Sequence, residues 1–292
     1  MMRNMAAAGF FDIGGLTAVK AVVACWSFVF GATIASFLNV VIWRAPRGES
    51  IVRPPSHCPK CGSPIKWYHN IPIVSWLALR GKCASCAKPI SPRYPLVEFL
   101  GGALFLAAFF RYSYAAPAAW IWISLMIAGS FIDFDHYLLP DFVTVGGMVY
   151  GVVLSLASYA LVGLGVVRPE AVWFVPSPAM SLLGLASGAG VLWLLGFVGS
   201  KIVKREAMGM GDVLLLGAIG AMFGPVAALF SLVASSIVGS VAGLVSIAVS
   251  KSTRVKYRMI PFGPYLCIGC AAWMFAGDEL VAAYLRMLGL GG

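Results

Sequence analysis

The chain alternates between long stretches without charge and short stretches rich in lysine and arginine. An apolar stretch of about 20 residues is long enough for a helix to cross a membrane. These stretches lack the strict alternation of apolar and polar positions that marks a half-buried strand, so we predict helices for them. The stretches, one of which contains the single charge of Glu98, are residues 21–43, 94–110, 114–132, 142–167, 178–200, 213–250 and 264–277.

The stretch 213–250 is too long for one span, and we divide it at Gly224-Pro225 because proline interrupts a helix. The pattern therefore predicts an all-α membrane protein with about eight transmembrane helices. Residues 1–43 hold the N-terminus and the first helix, 44–93 form a small insert, and 94–292 form a core of about seven helices.

The composition excludes a soluble or a disordered chain. Apolar residues make up 60% of the sequence and charged residues 11%, against about half and a quarter in soluble domains. So few charges cannot cover so much apolar surface in water. The apolar stretch after Arg3 continues to Trp43, which is too long for a signal peptide, and we expect no cleaved leader.

The basic residues indicate the orientation in the membrane. The formal net charge is +10, and 16 of the 21 lysines and arginines fall in three loops, residues 44–93, 201–205 and 251–258. All three loops lie on one side of an eight-helix topology, and positive loops stay in the cytoplasm. We predict that the insert is cytoplasmic and both termini are outside. No nucleic-acid partner is needed to explain the charge.

The insert contains two C-x2-C pairs, Cys58/Cys61 and Cys83/Cys86. Two such pairs can close a tetrahedral four-sulfur site, which predicts a structural Zn²⁺ without an open position for water. Disulfides are disfavoured in the reducing cytoplasm. With nine basic residues and one acid, the insert is suited to rest against anionic phospholipids.

The remaining candidate metal ligands have simpler interpretations. For His57 and His69 we favour surface or packing roles, since four thiolates already complete a site. Cys25, Cys267 and Cys270 lie in apolar stretches, and we predict that they are small packing residues.

Two acids at predicted helix ends are candidates for catalysis. Asp133 ends the third helix, and Asp212 opens the sixth after Gly209-Met210-Gly211. An acid at the edge of the hydrocarbon suggests function, whereas an acid at a helix start can also be a cap. For Asp141 we favour the cap. For Asp212 we favour a role beyond capping, because the two glycines, Gly209 and Gly211, permit close backbone approach and unusual dihedrals.

Two facing carboxylates that share one proton can hydrolyse a peptide bond. The charged one activates water and the neutral one donates to the carbonyl oxygen, as in aspartic peptidases. The sequence has no G-x-S-x-G, H-E-x-x-H or strand-associated G-x-G-x-x-G, so serine, zinc and nucleotide-dependent chemistry have no support.

Six motifs together resemble the bacterial type IV prepilin peptidases with a zinc-binding loop. They are residues 31–44 (GATIASFLNVVIWR), the paired C-x2-C, 94–98 (YPLVE), 132–141 (IDFDHYLLPD), 209–212 (GMGD) and 261–265 (PFGPY). The resemblance implies an inner-membrane aspartic peptidase with Asp133 and Asp212 as its catalytic pair. Such enzymes remove the leaders of type IV prepilins and type II secretion pseudopilins after a glycine, on the cytoplasmic side.

The resemblance also implies a second activity, N-methylation of the new amino terminus with S-adenosylmethionine. Gly81 and Lys82 match the family's pattern in this loop, and we associate them with the methyl donor. The substrates would carry a short basic leader followed by an apolar helix. Small residues such as Gly184, Ser187, Gly188 and Gly190 offer a face for that helix, although ordinary helix packing is the favoured explanation for them.

Two other classes of function stay open at this point. A transporter or channel with a zinc-stapled loop would need acids near the membrane midplane, where only Glu98 is a candidate. A non-catalytic scaffold for a secretion machine would show no turnover of prepilin.

Overall fold

The computed structural model describes residues 16–205, 208–249, 261–287 and 289. Nine α-helices lie within these residues, where β pairing is limited to two isolated bridges. In chain order they are α1 Leu16–Arg44, α2 Val74–Ala78, α3 Arg93–Tyr112, α4 Ala116–His136, α5 Asp141–Gly163, α6 Pro178–Val203, α7 Met210–Phe223, α8 Pro225–Val249 and α9 Gly263–Met287. The first 15 residues and the whole of the predicted basic loop at 251–258 lie outside the described residues.

Eight of these helices correspond to the eight predicted spans, which confirms the all-α membrane architecture. Helices α3 and α4 share one apolar stretch, Arg93–His136, and are joined by the 3-10 turn Ser113–Ala115. Helix α7 has only 14 residues. The ninth helix, α2, lies in the insert and was not among the predicted elements.

The helices form two compact units, Met1–Ala128 and Gly129–Gly292. In the first unit α1 and α3 approach closely through glycines, since a Cβ added to Gly31 would lie 2.6 Å from the Gly101 carbonyl oxygen. The rings of Phe105 and Trp120 stack with centroids 5.3 Å apart. The predicted three-part division at residues 43 and 93 describes the sequence order and stays a prediction.

In the second unit α7 is enclosed by its neighbours. Every residue from Leu215 to Met222 is buried, and the Ser181 hydroxyl of α6 donates to the Ala221 carbonyl at 2.6 Å. This burial explains why a helix too short for an ordinary span is uniformly apolar, since all of its faces meet protein.

The small-residue face of α6 packs against α7. A Cβ added to Gly188 would lie 2.5 Å from the Leu216 carbonyl oxygen, and Gly184 is similarly pressed against Gly220. These two glycines therefore serve helix packing, the explanation favoured from the sequence, and are not open to a substrate helix. At Gly190 an added Cβ would meet no described atom within 4 Å.

Candidate active site and metal centre

Asp133 lies in the last turn of α4 and is 6% exposed. Its Oδ2 accepts a hydrogen bond from the backbone N–H of Gly263 at 3.0 Å. Gly263 is the first residue of α9, and a Cβ added there would lie 2.7 Å from the same oxygen. A glycine at this position thus lets the α9 backbone reach the carboxylate.

Asp212 lies in the first turn of α7 and is half-buried. Asp133 lies within electrostatic range of it. Gly209 is the N-cap residue, and a Cβ there would lie 3.6 Å from the Asp212 Oδ2. Asp212 makes no capping hydrogen bond, although the helix dipole at this end favours its negative charge.

Leu139 fills the space among the helix ends that carry the two acids. A Cβ added to Gly211 would lie 3.0 Å from the Leu139 Cβ, and one added to Gly263 would lie 3.3 Å from its Cδ1. The predicted close approach at Gly211 is therefore present. The predicted unusual dihedrals are not, because Gly209 has φ −72° and Gly211 is helical. Gly211 therefore serves to let Leu139 approach the helix backbone, and neither Gly209 nor Gly211 adopts a conformation that requires glycine.

The other acids near the site face outward. Asp135 and Asp141 are exposed. The predicted cap at Asp141 is wrong: Pro140 is the N-cap residue of α5, Asp141 follows it in the first turn, and no capping side-chain hydrogen bond forms. Proline has already fixed the extended backbone that precedes the helix, which leaves Asp141 only the favourable dipole interaction.

The cysteines of the apolar stretches differ from one another. Cys267 and Cys270 are buried in α9, and Cys267 lies within electrostatic range of Asp133 and Asp212. Cys25 is exposed on α1, so the packing role predicted for it is wrong. A uniformly apolar helix gives no periodicity from which its buried face could be read.

The four cysteines of the insert lie together. Their sulfur atoms are all within 4.8 Å of one another, and sulfurs around a tetrahedral ion with bonds of about 2.3 Å lie roughly 4 Å apart. The donor set therefore fits a metal ion. His57 is exposed, and His69 packs edge-on against Tyr68, as expected for surface and packing roles.

The two C-x2-C pairs form equivalent hairpin-like turns, offset by 25 residues. In the first, the Gly62 N–H donates to the Cys58 carbonyl at 2.9 Å. In the second, the Ala87 N–H donates to the Cys83 carbonyl at 2.9 Å. The flanking bridges, His57 with Pro64 and Lys82 with Pro89, repeat with the same offset. We call these segments, residues 56–65 and 81–90, the two knuckles.

The knuckles favour the thiolate, the form that binds metals, at Cys61 and Cys83. Hydrogen bonds from the hydroxyl and then the backbone of Ser63 lower the pKa of Cys61 to about 6. The backbone N–H groups of Cys86 and Ser85 lower the pKa of Cys83. At Cys86 a hydrogen bond with the Lys88 backbone lowers the pKa, but burial and the neighbouring thiols outweigh it and raise the pKa to about 11. All four cysteines can therefore be thiolates together only with a cation among them.

Gly81 and Lys82 lie at the start of the second knuckle. Gly81 has φ +67°, and a Cβ there would lie 2.8 Å from the Trp76 ring. Its N–H donates to the Trp76 carbonyl and its carbonyl accepts from the Ile90 N–H. Both polar groups of its backbone are therefore used by the fold. Lys82 is exposed.

Two contributors to these sites were missed from the sequence. Gly263 was noted only as part of the motif at 261–265, where a glycine between Phe262 and Pro264 marks a tight backbone approach. Glu98, considered only as a possible midplane acid, accepts a 2.7 Å hydrogen bond from the Ile73 N–H and so ties the insert to α3.

Comparison with known proteins gives matches over most of the chain. Residues 29–112 match the bacterial peptidase A24 N-terminal domain, and residues 120–244 match the type IV leader peptidase family. Proteins named prepilin leader peptidase/N-methyltransferase are similar along their length. The one from Xanthomonas campestris is 37% identical over 89% of this chain and 93% of its own.

Two further relatives bear the same name. The protein from Neisseria gonorrhoeae is 36% identical over 87% of this chain and 90% of its own. The protein from Myxococcus xanthus is 42% identical over 76% of this chain, and the match spans 62% of the relative. No solved structure matches the chain significantly.

Proposed function

This chain belongs to the type IV leader peptidase family, and we propose that it cleaves prepilins with Asp133 and Asp212 as its catalytic pair. It is a membrane endopeptidase that removes the leader and N-methylates the product. The observation that supports the pair is the close approach of Leu139 to Gly211, which precedes Asp212, and to Gly263, whose N–H holds Asp133 at 3.0 Å.

The reaction needs one proton shared by the two aspartates. The ionised carboxylate takes a proton from water as the water oxygen attacks the scissile carbonyl carbon. The protonated carboxyl donates its proton to the carbonyl oxygen, which gives a neutral tetrahedral intermediate. The intermediate collapses as the C–N bond breaks and the leaving nitrogen takes a proton from the first aspartate. One hydroxyl of the intermediate returns its proton to the second aspartate as it becomes the carbonyl oxygen of the product acid, which regenerates the pair.

The location of the pair fits a substrate with a basic leader and an apolar helix. Asp133 lies in the last turn of α4 and Asp212 in the first turn of α7, so both belong to the ends of membrane helices. In a prepilin or pseudopilin the cleaved bond follows a glycine between the leader and the helix, at the same boundary. We infer that this boundary is the cytoplasmic face of the bacterial inner membrane, from the basic residues of the insert.

The four-cysteine cluster would hold a structural Zn²⁺. Four thiolates complete the coordination shell and leave no position for a reacting water. The ion would fix the two knuckles to each other, and the insert would rest on anionic phospholipids through its basic surface.

Methylation would use S-adenosylmethionine, which supplies an activated methyl group. Gly81 and Lys82 do not by themselves form a site for it, because the Gly81 backbone is already hydrogen-bonded within the knuckle. Lys82, which is exposed, retains a side chain able to meet the methyl donor's carboxylate. The role of both residues stays a prediction, and no step is assigned to them.

The contacts of Glu98, a buried acid outside the proposed catalytic pair, disfavour a transport function. Glu98 accepts the Ile73 N–H and lies near the start of α3, where it joins two parts of the fold. A transport site would use such an acid to bind cargo near the midplane.

Purified protein and a prepilin test the catalytic assignment. We expect Asp133→Asn and Asp212→Asn each to lower cleavage by several orders of magnitude, since paired catalytic groups act as a unit. Asp135→Asn is the matched control, because Asp135 is exposed two residues away, and it should stay within a few-fold of wild type. Retention of a tenth of the wild-type rate by either of the first two variants would remove that residue from the pair.

A further inference from the structure

Four large apolar or aromatic side chains of the insert point away from the protein. Trp67 is 81% exposed and Leu77 is 62% exposed, and Tyr68 and Val74 are exposed as well. We call this set the aromatic–apolar face. A soluble surface does not usually gather such side chains in so short a segment, which marks a surface for a partner or a membrane.

The face is a built structure and not a loose loop. The Ser75 hydroxyl donates to the Tyr68 carbonyl at 3.0 Å and accepts from the Ile71 N–H at 3.0 Å. These bonds join the 3-10 turn Trp67–His69 to α2. Val74 and Leu77 are three residues apart on that helix, so they share one side of it.

The attachment of α2 sets its level relative to the membrane helices. Ile73, which directly precedes α2, donates its N–H to the Glu98 Oε2 at 2.7 Å. Glu98 lies five residues into α3, about 7.5 Å from the helix start at 1.5 Å per residue. The first turn of α2 therefore lies beside the end of a membrane-spanning helix, at the depth of headgroups and upper acyl chains.

One positive charge lies against the face, and a second follows α2 in the chain. The Lys66 ammonium lies 5.7 Å from the centre of the Tyr68 ring, and Arg80, shortly after α2, is exposed. The same pairing occurs where α1 ends, since the Arg47 guanidinium lies 3.8 Å from the exposed Trp43 ring. Aromatic rings with adjacent cations are typical of the membrane–water interface, and such cations favour anionic leaflets.

We propose that the aromatic–apolar face is an interfacial anchor, inserted among anionic phospholipids with Lys66 and Arg80 at the headgroups. This inference rests on the proposed membrane function and names the residues through which the insert meets lipid. It would hold the metal-bound insert at the boundary, where a leader emerges from the membrane.

Full-length protein in nanodiscs tests the anchor. The tryptophan fluorescence of the wild type minus that of Trp67→Phe gives the fluorescence of Trp67 alone. We expect brominated lipids to quench this difference in discs of phosphatidylcholine with phosphatidylglycerol, and aqueous iodide to leave it nearly unchanged. The quenching gives the ratio of molecules with Trp67 in lipid to molecules with Trp67 in water. Lys66→Ala and Arg80→Ala should each lower this ratio about five-fold, the effect of one cation near an anionic surface. Leu77→Ser should lower it as well.

Lys60→Ala and Lys88→Ala are the matched controls, since both lysines are exposed on the knuckles and carry the same charge. They should leave the quenching unchanged. Quenching of Trp67 by iodide and not by brominated lipid would overturn the proposal. Equal quenching by brominated lipid in neutral discs would also overturn it. A third contrary result would be protection of Trp67 from iodide in lipid-free detergent that increases with protein concentration, because the face would then be covered by a second copy of the chain. Prepilin cleavage in detergent, measured on the same variants, distinguishes this failure from failure of the peptidase assignment.

Discussion

The metal centre and the carboxylate pair are assembled in opposite ways. The four cysteines come from two short segments, and each segment forms its own hydrogen-bonded turn before any ion is considered. The proposed carboxylate site draws on Asp133, Asp212 and Gly263, which belong to three helices, so it depends on how those helices pack. The first site depends on local geometry and on the ion that we propose for it, and the second depends on close helix packing in the surrounding unit.

This difference predicts which changes damage each site. Changes in the knuckles should alter metal binding and the folding of the insert. Changes at the helix contacts should alter the placement of a carboxylate, with or without a loss of stability, according to what the new atoms meet.

Removal of the metal should have the largest effect. Replacement of Cys58, Cys61, Cys83 and Cys86 by serine should unfold the insert, because structural zinc contributes on the order of 10 kcal/mol to small metal-bound folds. Proteolysis and hydrogen exchange should increase in residues 44–93, while the helical circular dichroism of the membrane core is retained. Metal analysis should give one zinc per wild-type chain. Unchanged exchange in the insert of the serine variant would contradict a structural metal.

Gly263→Ala should reduce catalysis without unfolding the protein. The new Cβ would lie 2.7 Å from the Asp133 Oδ2, and this oxygen can move only by turning the carboxylate away from the Gly263 N–H. Misplacement of a catalytic group by about 1 Å can cost about 100-fold in rate. We expect a lower kcat with little change in KM or in the melting temperature.

Gly269→Ala, on the same helix, is the contrasting variant. Its Cβ would lie 2.6 Å from the Ser231 backbone oxygen, which cannot rotate away, so the melting temperature should fall. Equal stability losses in the two variants would show that Gly263 is a packing residue only.

The sequence predicted the parts of the molecule that depend on short segments. The uncharged stretches located eight helices, and the spacing of Cys58, Cys61, Cys83 and Cys86 indicated the cluster. Contacts between distant segments were not predictable in this way. The Gly263–Asp133 hydrogen bond spans 130 residues, and nothing in either segment specifies the other. The exposure of Cys25 was missed because α1 is apolar on all sides.

The tie between the insert and α3 should have a moderate effect. Glu98→Ala removes the acceptor for the partly buried Ile73 N–H, and an unsatisfied donor costs about 1–3 kcal/mol where it is fully buried. Amide exchange in residues 73–78 should become faster by one to two orders of magnitude, in line with that energy. Glu98→Gln retains an acceptor oxygen and should show a smaller change. Wild-type exchange in the alanine variant would mean that the hydrogen bond does not hold α2 in place.

The smallest effect concerns one asymmetry between the knuckles. Gly62 and Ala87 occupy equivalent positions with φ +71° and +54°, and each donates its N–H to the carbonyl of the first cysteine of its knuckle. An L-residue pays about 1–2 kcal/mol in this left-handed conformation, whereas glycine costs about 0.4–1 kcal/mol through the greater freedom of the unfolded chain.

Ala87→Gly should therefore stabilise the insert slightly, and Gly62→Ala should destabilise it by a similar amount. No atom lies within 4 Å of a Cβ added to Gly62, so its effect would report backbone strain alone. If the proposed metal binding is coupled to folding of the insert, the chelator concentration that removes half of the metal should rise about three-fold for Ala87→Gly and fall about three-fold for Gly62→Ala. Shifts of the same sign in both variants would show that the two knuckles do not share one backbone design.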